Sequence, residues 1–201
     1  LLESIEAATT LPHRVLFIAS PSDDAEQDAI RATGADLLVL NKEPRSGDYA
    51  RKINAGYRAT TEPLLFLAAD DLHFHADWFE RAAARVAGAV QVVGTNDLGN
   101  RRVIAGEHST HTLVTRRYAD DFGTIDEPGS VLHEGYPHEF VDDELVGTAK
   151  HRGVWDHAGD SIVEHLHPHW GKAPSDELYE AEPERMVIGR RIFRERRHLW
   201  T

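Results

Sequence analysis

Between residues 14 and 94, short apolar runs alternate with amphipathic stretches, and no other feature restricts the possible folds as much. "RVLFIA" (14–19), "DLLVL" (36–40), "PLLFLAA" (63–69) and "AVQVVG" (89–94) are brief, uncharged beyond their first residue and bracketed by turn formers, the pattern of buried strands. Between them the spacing predicts helices over 24–33, 49–60 and 77–88. Asp23 with Glu26 reads as a capping box, and Gly34 is a stop signal for the first of these helices. Strands joined by helices of this length make right-handed crossovers, so the expected architecture is α/β, with a mixed, largely parallel sheet covered on both faces.

From about residue 95 the rhythm breaks. "NDLGNRRVIAGEHSTHTLVTRRY" predicts irregular or antiparallel strands, and "FGTIDEPGSVLHEGYPHE" a loop. A short helix over 142–153, ended by Gly153, and a last strand over 161–167 follow, with a charged helical tail from 175 to 201. With no repeat or linker, residues 1–201 read as one domain. The start, "LLESIEAATT", lacks an initiator Met and opens within a helical pattern, so an N-terminal strand upstream is expected. The absence of cysteine excludes disulfides, thiolate metal sites and Cys nucleophiles. A formal charge of −12, from 34 acidic and 22 basic residues, argues against general polyanion binding. No apolar run is long enough to span a bilayer, and the cytoplasm is the default compartment.

Three constellations bear chemistry. Asp70 and Asp71 end the strand "PLLFLAA", where ligands sit on open α/β sheets. They are either a charged strand end or ligands for a hard divalent cation, and they lie too early to cap the helix that Asp77 begins. Asp142, Asp143 and Glu144 open a helix, where acids complement the dipole; one of them is alternatively a general base. Ten of the 13 histidines lie in the second half, and "EHLHPHWGKAP" alternates His165, His167 and His169 before Trp170, Gly171 and Lys172. This is compatible with a three-His zinc site, with a packed pair of imidazoles, or with a loop that folds over a phosphorylated ligand.

In combination these motifs resemble the family-two type of GT-A glycosyltransferases, over roughly residues 14–172. "KINAGYRATTEPLLFLAADDLHF" is similar to that family's Asn-x-Gly helix followed by a strand ending in Asp-x-Asp, with Asn54 and Gly56 as the first element. "FVDDELVG" is similar to its base motif and "DSIVEHLHPHWGK" to its metal-binding His. The tail beyond that strand looks most like variants from bacteriophages and their hosts. The resemblance implies a GT-A-like, Rossmann-like three-layer fold and an inverting, metal-dependent transfer of a hexose from a nucleotide-diphosphate donor, a UDP-sugar first, to an acceptor hydroxyl. It implies Mn²⁺ or Mg²⁺ on Asp70, Asp71 and His165, with His167 the second choice of His, and Asp142 as base. Asp70, Lys52, Asn54, Trp170 and Lys172 are the implied donor contacts. Ala68 stands where the first motif acid is expected. The acceptor is left open among a modified DNA base, a saccharide and a protein, and a phage-encoded protein would act in the host cytoplasm. A sugar-phosphate nucleotidyltransferase and a non-catalytic GT-A-like binding domain are the alternatives.

Overall fold

The expected strands form where the apolar runs lie; the first two helices between them end close to their expected bounds, whereas the one expected over 77–88 stops at Ala83. In the computed structural model, which describes residues 1–43, 45 and 47–201, the chain opens with helix α1 (Leu2–Ala8). There follow β1 (Leu16–Ala19), α2 (Asp24–Thr33), β2 (Asp36–Val39), α3 (Tyr49–Ala59) and β3 (Leu64–Leu67). The Asp23 carboxylate accepts the Glu26 N–H at 2.8 Å to start α2, and Gly34 closes it in the left-handed conformation at φ 75°. In the polar turn 41–48, Pro44 and Ser46 lie outside the described residues.

The second half supplies β4 (Leu72–Phe74), α4 (Trp78–Ala83), β5 (Val92–Asn96), α5 (Arg101–Ile104), β6 (Thr112–Thr115), α6 (Arg116–Asp121) and α7 (Val141–His151). It closes with β7 (Trp155–His165) and the tail helices α8 (Glu177–Glu180) and α9 (Glu182–Arg196). Asp77 occupies the N-cap of α4, but with a left-handed backbone and no capping hydrogen bond from its side chain.

The strands make a five-stranded mixed sheet, ordered β3-β6-β5-β7-β4, and a parallel pair, β1-β2. Within the larger sheet β5 and β7 are parallel, whereas β6 runs antiparallel to both β3 and β5, and β4 antiparallel to β7. Of the antiparallel members, β6 comes from the stretch where the strand–helix rhythm is broken, and β4 is a three-residue strand between β3 and α4. Val92, Val114, Leu67 and Tyr118 centre one apolar cluster, which joins the sheet to α3, α6 and α7. Leu72, Phe74, Trp78 and Val163 centre a second, under α1. Between β1 and β3 runs a groove lined by Leu16, Ile18, Ile53, Tyr57, Leu65 and Phe66. No helix among the described residues is long and apolar enough to cross a membrane.

Candidate active site

The three-residue strand β4 builds the first half of the site. It pairs with the end of β7, Leu72 opposite His165, and the Leu166 N–H donates to the Asp71 carbonyl at 2.9 Å. This brings the Asp71 carboxylate to the His165 imidazole, with Nε2 2.9 Å from Oδ2. The Tyr179 hydroxyl of α8 donates to the same oxygen at 2.5 Å. Burial pushes the Asp71 carboxyl up, but these two hydrogen bonds outweigh it and hold the group well below the usual carboxylate range. Its other oxygen, Oδ1, and His165 Nδ1 are buried without a partner. A carboxylate and an imidazole 2.9 Å apart, each with a further polar atom left without a partner, are donor types that suit a divalent cation.

A second carboxylate–imidazole pair sits at the start of α7. Buried His108 places Nε2 3.1 Å from Asp142 Oδ2 and Nδ1 3.9 Å from Asp143 Oδ1, while Arg102 donates to Asp143 at 2.9 Å. Burial alone would lower the His108 pKa, yet Asp142 and Asp143 raise it overall. In return, burial raises the Asp142 carboxyl, and His108 more than reverses this, holding it ionised. Among the described residues, His108, Asp142 and Asp143 are the one group of three whose ligand atoms all lie within 4.8 Å of one another.

The two pairs face common neighbours. The Tyr49 hydroxyl and His111 Nδ1 both donate to the Leu67 carbonyl, at 3.1 and 3.3 Å. Burial, Asp142 and Asp71 all raise the Tyr49 phenol. Burial and the nearby His165 press His111 down to about 3, and burial with Arg185 presses His138 down to about 4; both also feel Asp71 and Asp142. Expected cation ligands and expected base thus border one polar interior. His111, His138, His108 and Tyr179 are members of it that sequence reasoning missed.

The remaining expected residues divide between this site and other places. Asp70 is exposed; it and Asp71 both raise the Tyr179 phenol, behind the larger effect of burial. The His167 ring lies 4.9 Å from that of His165 and 4.6 Å from that of Tyr179, but its Nδ1 accepts the His169 N–H at 3.0 Å. Trp170 packs 5.3 Å from His165 and against Gly99, where a Cβ would come within 2.3 Å of the indole. Lys172 pairs with Glu164 at 2.8 Å, with its ammonium 5.9 Å from the Trp170 ring centre. Asn54 requires a correction. It is fully buried, its amide donates to the Leu132 carbonyl and Glu134, and its oxygen accepts from the Val131 and Leu132 N–H groups, so no position is free for a donor. Lys52 pairs with Glu26 of α2 at 3.7 Å. Ala68 packs against the apolar cluster of Leu72 and Trp78.

The sequence matches no protein-family model and no curated protein. Solved structures match the fold. Glucosyl-3-phosphoglycerate synthase from Mycobacterium tuberculosis, in complex with Mn²⁺, UDP and phosphoglyceric acid, superposes with a TM-score of 0.63 over 96% of this chain and 71% of that one, at 14% identity. The same enzyme with Mn²⁺, UDP-glucose and phosphoglyceric acid gives 0.59 over 94% and 71%, at 15% identity. The chain has a GT-A-type α/β fold. A mycobacterial protein matches as well, with a TM-score of 0.58 over 88% of this chain and 64% of that one, at 16% identity. At such identities the likeness concerns the fold, and the chemistry must be argued from the side chains.

Proposed function

We propose that this chain is a metal-dependent glycosyltransferase that takes a sugar from a nucleotide-diphosphate donor, UDP-glucose being the first to test. The observation that carries the reading is the Asp71–His165 pair, with its two unsatisfied atoms, bordering the same interior as Asp142 at the mouth of a GT-A-type sheet. Asp71 and His165 hold Mn²⁺ or Mg²⁺ against the donor diphosphate, and Asp70, exposed beside them, faces the nucleotide. When bound, the cation neutralises charge on the diphosphate leaving group. Trp170 and His167 wall the donor off from water, and Lys172 meets phosphate by exchanging its contact with Glu164. Lys52, half-buried on α3 and paired with Glu26, is kept only as a remote phosphate contact. Asp142, oriented and kept ionised by His108, takes the proton of the acceptor hydroxyl as that oxygen attacks the anomeric carbon. A single carboxylate acting as base without an enzyme nucleophile makes this one displacement with inversion. Two of the fold neighbours were solved with phosphoglyceric acid, which makes it a first acceptor to assay beside saccharides, hydroxymethylated DNA and proteins.

The groove between β1 and β3 exposes two strand edges, and the expected additional strand would fill it. The test is therefore run on this chain and on an N-terminally extended one, with Mn²⁺ and a panel of UDP-, GDP- and TDP-sugars. Binding or metal-dependent hydrolysis of one donor is expected, and a product of inverted anomeric configuration. If no donor is bound or turned over by either form, the proposal fails. Donor binding without hydrolysis or transfer would instead favour the non-catalytic domain, for which Ala68 in place of an acid is the motive.

A further inference from the structure

Elsewhere in this chain, acids hold Arg14, Arg31, Lys42, Arg58, Arg102 and Lys172, each in an ion pair. Four arginines of the tail differ. Arg190, Arg191 and Arg194 of α9, and Arg197 one residue past its end, are exposed, and none forms an ion pair among the described residues. At 3.6 residues per turn they fall on one side of the helix, with Val187 on the same side nearer its start. Val187 is 72% exposed and its neighbour Ile188 42%. The opposite side is spent on the fold. Arg185 and Gly189 are buried there, Phe193 packs against Phe140 and Trp200, and Arg196 binds Glu144 and Asp126. Glu184 and Glu195, both exposed, lie at the edge of the arginine row. The row is thus a concentrated positive face on a chain whose formal charge is −12.

We propose that this face of α9 binds the phosphodiester backbone of a nucleic-acid duplex. All four cations are arginines, whose planar guanidinium meets phosphate oxygens in pairs. A second copy of the chain docking face to face would set arginine against arginine. The bulky aromatic groups that an interfacial helix inserts into a bilayer, here Phe193 and Trp200, are turned into the fold, so the outer face suits a membrane poorly. A duplex is a rod of dense charge that touches one helix at a time. Acidic surface farther off than the screening length of about 8 Å then does little to oppose it, whereas a flat anionic surface would meet more of that acid. The overall charge therefore weighs against broad polyanion binding and not against this local row. The Arg190 guanidinium lies 5.9 Å from the centre of the Phe140 ring, at the start of α7, so a bound duplex would run beside the helix that carries Asp142. The proposal is independent of sugar transfer and does not use the Asp71–His165 pair.

The test follows the fluorescence anisotropy of a labelled 20-base-pair DNA duplex titrated with the purified chain over a series of salt concentrations. Binding with a dissociation constant of about 1–100 μM near physiological salt is expected, with a slope of log affinity against log salt of about −3 to −4, as four phosphate contacts give. Arg191→Gln combined with Arg194→Gln should weaken binding about tenfold or more at low salt and reduce the slope by about 2. Both side chains are exposed and unpaired, so urea denaturation should show unchanged stability. Arg31→Gln combined with Arg117→Gln, which removes two exposed arginines already paired with acids, should leave duplex binding as it was. The proposal is overturned if the chain does not bind the duplex at low salt, or if the tail variant binds as the wild type does. It is overturned equally if the control variant loses as much as the tail variant. Tighter binding to phosphatidylserine vesicles than to the duplex, at equal phosphate and lost with the tail variant, would assign the face to a membrane instead. A wild-type dimer in sedimentation that this variant dissolves would assign it to a second copy. Failure of every sugar donor in the assay above would leave this result unaffected.

Discussion

Two carboxylate–imidazole pairs line the site, and they are alike in contact but differ in the charges around them. Asp71 meets His165 at 2.9 Å and Asp142 meets His108 at 3.1 Å. Around Asp142 the charges are nearly matched within the chain, since His108 faces both acids of α7 and Arg102 binds Asp143. Both acids also lie in the first turn of an 11-residue helix, where its dipole favours them. Around Asp71 the account is left open: a carboxylate oxygen, the second nitrogen of His165 and that of His111 have no partner. A pair ringed by further charges of the chain is suited to hold one carboxylate ionised and aimed, although His108 Nδ1, 3.9 Å from Asp143, is also buried without a hydrogen-bond partner. A pair that leaves donors unsatisfied is suited to receive something.

The largest effects should come from removing one acid of each pair. Asp142→Asn is expected to lower turnover by about 10²–10⁴-fold, the usual range for losing a positioned proton acceptor, while leaving donor and cation affinity unchanged. Asp71→Asn should do the reverse, weakening Mn²⁺ and nucleotide binding by about tenfold or more before any chemistry is considered. Calorimetric titration of both variants with Mn²⁺ and UDP separates the two. If both lost cation affinity equally, the contrast between the pairs would collapse.

Next in size is the platform under the second pair. Arg196 of α9 binds the buried Glu144 at 2.7 and 2.9 Å and also reaches Asp126 at 2.7 Å, while the Tyr136 hydroxyl donates to Glu144 at 2.8 Å. Arg196→Ala leaves a carboxylate of α7 buried without its cation, at a cost of about 3–5 kcal/mol. Urea denaturation should show that loss, with the Asp142 side of the site disturbed more than the Asp71 side. Asn54→Ala tests the correction above. It strands two backbone N–H groups of the 131–134 loop, for about 2–4 kcal/mol, and should leave UDP affinity in the surviving folded protein unchanged.

These contrasts also mark how far the sequence could be read. The strands of residues 14–94 were legible because apolar runs between turn formers carry their own signal. β4 was not, since three residues become a strand only when β7 lies beside them. β7 itself starts at Trp155 rather than 161, because "WDHAGD" is polar and pairs with β5 along a half-exposed stretch. The order of acids and histidines pointed to side chains that the fold brings together, but not to which of two adjacent acids meets His165; the β4–β7 register chooses Asp71 and leaves Asp70 exposed. The Asn-x-Gly element suggested a donor contact, and only the folded loop reveals that Asn54 is saturated. His111 gave no signal at all, as its meaning depends on a strand partner more than forty residues away in sequence. The tail read only as a charged helix, yet it carries Tyr179 to Asp71 and Arg196 to Glu144.

The smallest effect expected is a pH dependence that belongs to the second pair. Burial works against a charged His108 and Arg102 adds to that, but Asp142 and Asp143 win, so its folded pKa is raised above the unfolded value of 6.5. A raised pKa means that the folded state binds the proton more tightly. The stability this contributes is therefore fully present below about pH 6.5 and is lost as the pH climbs through the folded value. His108→Gln keeps a hydrogen bond to Asp142 without the charge. The stability gap between wild type and this variant, measured by urea denaturation, should then be widest in mild acid and should narrow on the alkaline side. A gap that widened with rising pH would mean that His108 is held neutral, and that Asp142 owes its ionised state to the helix dipole.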